Sequence, residues 1–421
     1  MQYLLFFLAF SIPLIDASRY YLKQGSLTEI LFLILASIAL LGVIKGYKLT
    51  ITTGTVLLLG FFFVCCISWL FSKTDIKDPK DIIRVAEYLG IYIIIGTFTV
   101  KSPWRKSFLI GFFAGSFAAI CIALIHWYVG PKSIFVLWGP EWASSYTADN
   151  FRVYGSFGNP LNLTGYLSTV GALSIAILPK QKLLYKRIFY LMLIFGVVIT
   201  LIITGSKSSL ILFGILLVKN KKIKLIIINL IIIIFGFYLV SKLGNNHVLE
   251  RIFSIFNKIG EGSNIDLQRH YVWLSSLEMI KDNPLIGIGL GNFAEIYNKS
   301  YFLYGASTEK ITFTAENMLL EIGAEVGLIG LILIIILIIR AICLGYKDDN
   351  YHHHYTTESI SLKDLATAVL AFTLVGMIQS MSAASLNITL FSLMGLQDGI
   401  IRSRYKARKT SANHLFDFNV Y

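Results

Sequence analysis

The chain has 421 residues, of which 56% are hydrophobic and 14% charged, and its mean hydropathy is +0.70. A soluble domain carries about 25% charged residues, so a water-soluble fold is excluded. The net charge of +13 would suit nucleic acid, but the excess lies in short loops between apolar runs, which points away from nucleic acid and matches the positive-inside pattern of membrane insertion.

In chain order the apolar runs cover 2–15, 28–44, 51–71, 83–100, 107–129, 158–178, 188–204, 207–218, 223–241, 317–343, 365–382 and 385–401. Most approach the ~20 residues that cross a ~30 Å hydrocarbon core. Each reads as a helix, because an open backbone in lipid leaves polar groups unpaired. The run from Met1 to Ile15 lacks a basic leading segment and reads as a first membrane helix rather than a cleaved signal. Cys65, Cys66, Cys121 and Cys343 all lie in apolar runs, with no disulfide or metal-ligand spacing.

The connections after the second, fourth, sixth and eighth runs are basic. They carry Lys45 and Lys48; Lys101, Arg105 and Lys106; Lys180, Lys182, Lys186 and Arg187; and Lys219, Lys221, Lys222 and Lys224. The connection after the tenth run is the exception, with Lys347 and Lys363 against Asp348, Asp349, Glu358 and Asp364. The last segment adds Arg402, Arg404, Lys406, Arg408 and Lys409. Both termini are therefore expected in the cytoplasm. The expected fold is an all-α polytopic membrane protein of about twelve transmembrane helices. It forms a single domain over 1–421, with a large extracytoplasmic loop at 242–316 between the ninth and tenth helices. A polar, poorly ordered cytoplasmic tail is expected at 402–421.

Within the large loop, Leu267, Tyr271, Leu274 and Leu277 recur at helical spacing. The piece Leu267 to Ile280 is too short and polar to span, so an interfacial helix is expected. Asn283-Pro284-Leu285-Ile286-Gly287-Ile288-Gly289-Leu290-Gly291-Asn292-Phe293 follows as a turn-rich stretch. It is no dinucleotide fingerprint, since no strand–helix unit surrounds it. His352, His353 and His354 fall on the cytoplasmic side and suggest no metal site.

Charges near a membrane are costly, so each merits a functional reading beside a structural one. Four pieces gather at the outer face. Arg152 to Asn162, with Asn159 and Asn162, is a Gly/Pro-rich stretch that reads as a helix-capping loop or a polar rim for sugar. Lys207 sits in the tight reversal Gly205-Ser206-Lys207-Ser208-Ser209, where an ammonium beside helix N-terminal amides makes an anion site; the alternative is a snorkelling lysine. Arg269, on the interfacial helix with Trp273, can grip phosphate oxygens as a fork or meet a headgroup. Glu316-Asn317 opens the tenth helix, where a carboxylate suits the dipole or takes a proton from a sugar hydroxyl. Glu325 is expected to face elsewhere and act structurally. Arg84 is expected to pair with Glu87, and Asp398 to be an interfacial charge.

In this order the pieces resemble the bacterial O-antigen ligase / O-antigen polymerase (Wzy-type) superfamily of membrane glycosyltransferases. The resemblance is carried by Arg269, Trp273, Asn283 to Gly289, Phe293, Glu316-Asn317 and Glu325-Val326-Gly327-Leu328-Ile329-Gly330. Gly155 to Asn162 and Thr204 to Ser208 resemble two further family motifs. Lys207 stands where the family usually carries arginine, and Glu316-Asn317 where ligases usually carry His-Asn.

The resemblance implies an undecaprenyl-pyrophosphate-linked glycan donor at the outer face of the bacterial cytoplasmic membrane. The glycan acceptor is a second lipid-linked repeat unit for a polymerase, or lipid A-core for a ligase. Glu316, Arg269 and Lys207 are the expected catalytic residues; Arg152, Asn159, Asn162, Asn317 and Trp273 are expected to bind substrate. With no Asp-x-Asp pair in the outer loops and a pyrophosphate already activated to leave, neither cofactor nor metal is expected. A transporter or flippase is a less favoured alternative, since the halves do not look alike and the charges gather at one face. A purely structural membrane protein would not need such a cluster.

Overall fold

The computed structural model describes residues 1–22, 26–45, 51–72, 78–130, 152–157, 159–206, 209–210, 264–303, 314–348, 360–377 and 384–417. The described residues form helices and connecting turns, without a strand. They comprise α1 (Gln2–Ser11), α2 (Ile15–Leu22), α3 (Leu27–Ile44), α4 (Thr53–Leu70), α5 (Pro79–Phe98), α6 (Ser102–Val129), α7 (Pro160–Ile177), α8 (Leu184–Ile203), α9 (Asn264–Asp282), the short α10 (Phe293–Ile296), α11 (Met318–Asp348), α12 (Leu362–Gly376) and α13 (Ala384–Asp417). Among the described residues, six stretches are long and apolar enough to cross a membrane: Leu27–Ile44, Thr53–Leu70, Ser102–Val129, Pro160–Lys180, Leu184–Ile203 and Met318–Tyr346.

Every apolar run within the described residues is helical, while the run 223–241, and all of the run 207–218 except 209–210, lie outside them. Two elements differ from expectation. The first run breaks at a 3₁₀ turn, Ile12–Leu14, because Pro13 has no N–H to continue the ladder. The stretch from Arg402, expected to be poorly ordered, continues α13 as helix to Asp417.

Helix starts are written locally. Ser26 with Glu29 and Thr52 with Thr55 form capping boxes for α3 and α4, satisfying amide donors that the first turn leaves open. Asp78 and Asn159 cap α5 and α7, each followed by proline at the first helical position.

Packing sorts the helices by burial. The apolar window of α7 is 83% buried and that of α3 only 17%, so α7 is central and α3 is peripheral. In α7, Leu163, Tyr166, Leu167, Val170 and Leu173 are all solvent-inaccessible. Removing such a side chain would cost on the order of 2–5 kcal/mol through lost burial and the cavity left behind. The exposed apolar side chains of α3, such as Leu33, Leu40 and Leu41, suit hydrocarbon rather than water.

Two contacts set helix direction. Lys180 Nζ, after α7, meets Asp364 at the start of α12 at 2.8 Å. Asn317 Nδ2, before α11, donates to Met377 O after α12 at 2.8 Å. The starts of α7 and α11 and the ends of α8 and α12 therefore share one end of the bundle. Arg152, Asn159, Thr204, Arg269 and Glu316 all belong to that end.

Candidate functional site

The site is built around a break in α11. At Gly327 the backbone turns to φ 79 and ψ 179 inside an otherwise continuous helix. Such a break frees carbonyls that lipid cannot satisfy. The turn-rich stretch after α9 satisfies them: Ile288 N–H donates to Ala324 O at 2.9 Å and Gly289 N–H to Glu325 O at 3.1 Å. Leu328 N–H is taken by Pro284 O at 2.7 Å, and Ser68 Oγ donates to Glu325 O at 2.6 Å.

Glycine is required at both faces of this junction. Gly287 and Gly327 have φ of +71 and +79, and a Cβ on either would strike the backbone of the other segment. The Gly-x-Gly-x-Gly stretch is thus a backbone clamp on a broken membrane helix. The Glu325 side chain serves the same clamp by accepting Phe293 N–H at 3.1 Å; expected to face elsewhere, it lines a cavity that also holds Thr314 and Glu321.

The clamp fixes α9 against the start of α11. Arg269 lies on α9 (Asn264–Asp282), the helix expected from the spacing of Leu267 to Leu277. Its Nε donates to Glu316 Oε2 in an ion pair, with side chains 27% and 37% exposed. Both charges are therefore open to a ligand rather than sealed in the core. Among the described residues Glu316 is the one non-glycine with positive φ, at 49. A left-handed conformation costs a non-glycine residue on the order of 1–3 kcal/mol and is retained where the surroundings impose it, commonly at functional sites. The cause is adjacent: Asn317 Oδ1 caps α11 by accepting Leu319 and Leu320 N–H at 3.0 and 3.2 Å. Its Nδ2 is tied to Met377 O, so the chain must turn sharply at Glu316.

The other expected residues have their own local partners. Trp273 is one helical turn from Arg269 and on the same face; its buried Nε1 has no hydrogen-bond partner among the described residues. Arg152 Nε donates to Thr204 O at 3.0 Å. That joins the 152–157 loop to the turn at Gly205, where φ is 63. Asn159 Oδ1 accepts Leu161 N–H at 2.8 Å as the α7 cap, and Asn162, partly exposed, lies in the first turn of α7. Lys207 lies outside the described residues; Ser206 O, just before it, accepts Leu210 N–H at 3.2 Å. Arg269 and Glu316 are thus brought together, with Asn317 and Trp273 beside them.

Two readings are corrected. Arg84 pairs with Asp81 at 3.4 Å rather than with Glu87, because Glu87 turns into the bundle and is only 6% exposed. Asp398 is no simple interfacial charge but the buried acceptor for Thr52 Oγ1 at 2.6 Å, Arg340 Nη2 at 2.8 Å and Tyr92 Oη. Sequence reasoning also missed a cavity of about 290 Å³ beside the ion pair, lined by Asp81, Arg84, Tyr88, Thr314, Glu321 and Asn387, among others. The i, i+4 spacing of Glu321 and Glu325 was the available signal.

A bundle of apolar helices with an open cation–carboxylate pair at one end defines an integral membrane protein with an enzyme-like site. Residues 191–335 match a family model described as O-antigen ligase, which bears out the resemblance to the O-antigen ligase / O-antigen polymerase superfamily. The match contains Arg269, Trp273, the glycine clamp, Glu316 and Asn317, and it supports a glycosyltransferase of O-antigen ligase or polymerase type. No curated protein matches the chain.

Proposed function

We propose that the protein polymerises lipid-linked oligosaccharide repeat units of a cell-surface polysaccharide, O-antigen or capsule, at the outer face of the bacterial cytoplasmic membrane. The observation that carries this reading is the Arg269–Glu316 pair, with Glu316 held in a left-handed turn at the start of α11. The basic connection at Lys180 belongs to the opposite end. The positive-inside rule then puts the termini in the cytoplasm and the pair outside.

The reaction is displacement at the donor's anomeric carbon. The acceptor hydroxyl oxygen forms the new C–O bond, and the C–O bond to undecaprenyl pyrophosphate breaks with its electron pair leaving on phosphate. Glu316 takes the hydroxyl proton, a role worth roughly 10²–10⁴ in rate. Arg269, with Lys207 as the second expected cation, stabilises the charge growing on the leaving oxygens. One such contact is worth on the order of 10²–10³. A base beside an anion-binding group suits a displacement that needs both near one anomeric carbon. Trp273 and the polar segment with Arg152, Asn159 and Asn162 border the site as sugar-contacting surface. Residues 242–316 make up the extracytoplasmic loop that carries α9, and residues from 402 lie on the cytoplasmic side.

Glu316 in place of the ligases' usual histidine favours polymerase. The family model's own description keeps the alternative, a ligase that transfers glycan to lipid A-core. Two experiments test the reading. Arg269→Ala and Lys207→Ala cells are expected to lose long-chain glycan on gels at normal membrane levels of the protein; wild-type ladders from both overturn the catalytic assignment. Depleting the protein is expected to leave a single repeat unit still transferred to its final acceptor. Accumulation of full-length polymer on the lipid carrier assigns the ligase instead.

A further inference from the structure

The cavity beside the ion pair lies between the start of α5, the glycine clamp, the first turns of α11 and the start of α13. Its polar lining comprises Asp81, Arg84, Thr314, Glu321, Glu325 and Asn387; its apolar lining includes Phe61, Val85, Val326 and Leu390. Tyr88 and Phe391, both in the wall, stack at 5.6 Å between ring centroids. Asn387 Nδ2 donates weakly to Tyr88 Oη at 3.4 Å. Thr314 and Met318, two residues to either side of Glu316, both line it, so the cavity lies next to the proposed base, which is not itself part of the wall.

Three features decide what fits. First, among the described residues the wall holds a single cation, Arg84, and it is already paired with Asp81. An anionic diphosphate finds no unclaimed cation here, and Arg269 lies outside this wall. Second, Glu321 Oε2 is buried in the wall without a hydrogen-bond partner among the described residues. A buried carboxylate oxygen left in that state is costly and favours a donor group from a ligand. Third, the volume of about 290 Å³ is at the small end of ligand cavities, roughly 300–1,000 Å³. Aromatic faces beside hydrogen-bonding groups match the two sides of a sugar ring, one C–H and one hydroxyl.

From this charge sorting we infer that the cavity is the acceptor subsite: it takes an uncharged, hydroxyl-rich terminal sugar and directs one hydroxyl toward Glu316. This rests on the glycosyl-transfer reading above and adds the place and the chemistry of the acceptor. The pyrophosphate end of the donor stays on the Arg269 side, so the two substrates approach Glu316 from opposite directions.

The test uses the full-length purified protein and, as probe, the repeat-unit oligosaccharide freed from its lipid carrier by mild acid. Saturable binding to the wild-type protein is expected. Leu390→Trp, which fills the cavity, should weaken it by about tenfold or more, and Glu321→Gln and Asn387→Ala by several-fold to about tenfold. Arg269→Ala should bind the probe as wild type does. In transfer assays the cavity variants should raise the acceptor KM and leave the donor KM unchanged. Monodisperse elution and an unshifted Tm identify the variants that remain folded. No saturable binding by the wild type, or wild-type binding by both Leu390→Trp and Asn387→Ala, overturns the inference. If Arg269→Ala and Glu316→Gln retain full transfer while the cavity variants lose binding, the catalytic reading fails and the sugar site stands. If they lose transfer while the cavity variants bind normally, only the acceptor site fails.

Discussion

At the end of the bundle remote from the site, Asp398 is 2% exposed and held by Thr52, Tyr92 and Arg340 from three other segments. At the site end, Arg269 and Glu316 are 27% and 37% exposed and held chiefly by each other. Both clusters pair arginine with a carboxylate, yet they serve different ends. The Asp398 cluster is closed: each carboxylate oxygen has a donor, and the group ties α4, α5, α11 and α13 together. The Arg269–Glu316 pair is open, rests on a left-handed residue, and adjoins a cavity. A membrane protein needs its buried charges satisfied for folding, whereas a site for chemistry keeps charges that a substrate can still claim.

The contrast can be broken by substitution. Glu316→Gln has the largest expected effect, a loss of transfer of roughly 10²–10⁴ with Tm unchanged or slightly raised; transfer kinetics and a thermal melt of the same sample check both halves. Asp398→Ala should do the reverse. It leaves the partly buried Arg340 without its partner, which costs up to about 3 kcal/mol, read as a lowered Tm in detergent; a stable Asp398→Ala protein would mean that the cluster is no rivet. Gly327→Ala sits between the two ends, because its Cβ meets Leu285 O and its φ is left-handed. It should cost on the order of 1–3 kcal/mol and also lower transfer, since the clamp positions α9. Asn317→Ala removes a helix cap and should cost about 1 kcal/mol, with a modest rise in substrate KM as Glu316 loses its enforced turn.

Much of the architecture was legible before the structure, and for a physical reason. Crossing hydrocarbon demands a long apolar helix, so composition and run length alone disclosed the elements. The helix carrying Arg269 was visible in its apolar spacing, and the motif order pointed to Arg269 and Glu316 as partners. What stayed hidden depends on segments far apart in the chain. Nothing near Gly287 announces that its backbone will clamp a break at Gly327, and nothing near Asp398 names Thr52 as its donor, 346 positions away. The acceptor cavity is likewise assembled from four helices and two loops. The sequence by itself determined which segments are helical and which residue types carry charge, because those follow from local propensity and the solvent. Only the tertiary structure decided which charges meet, which are sealed and which stay open, because that depends on how the helices pack.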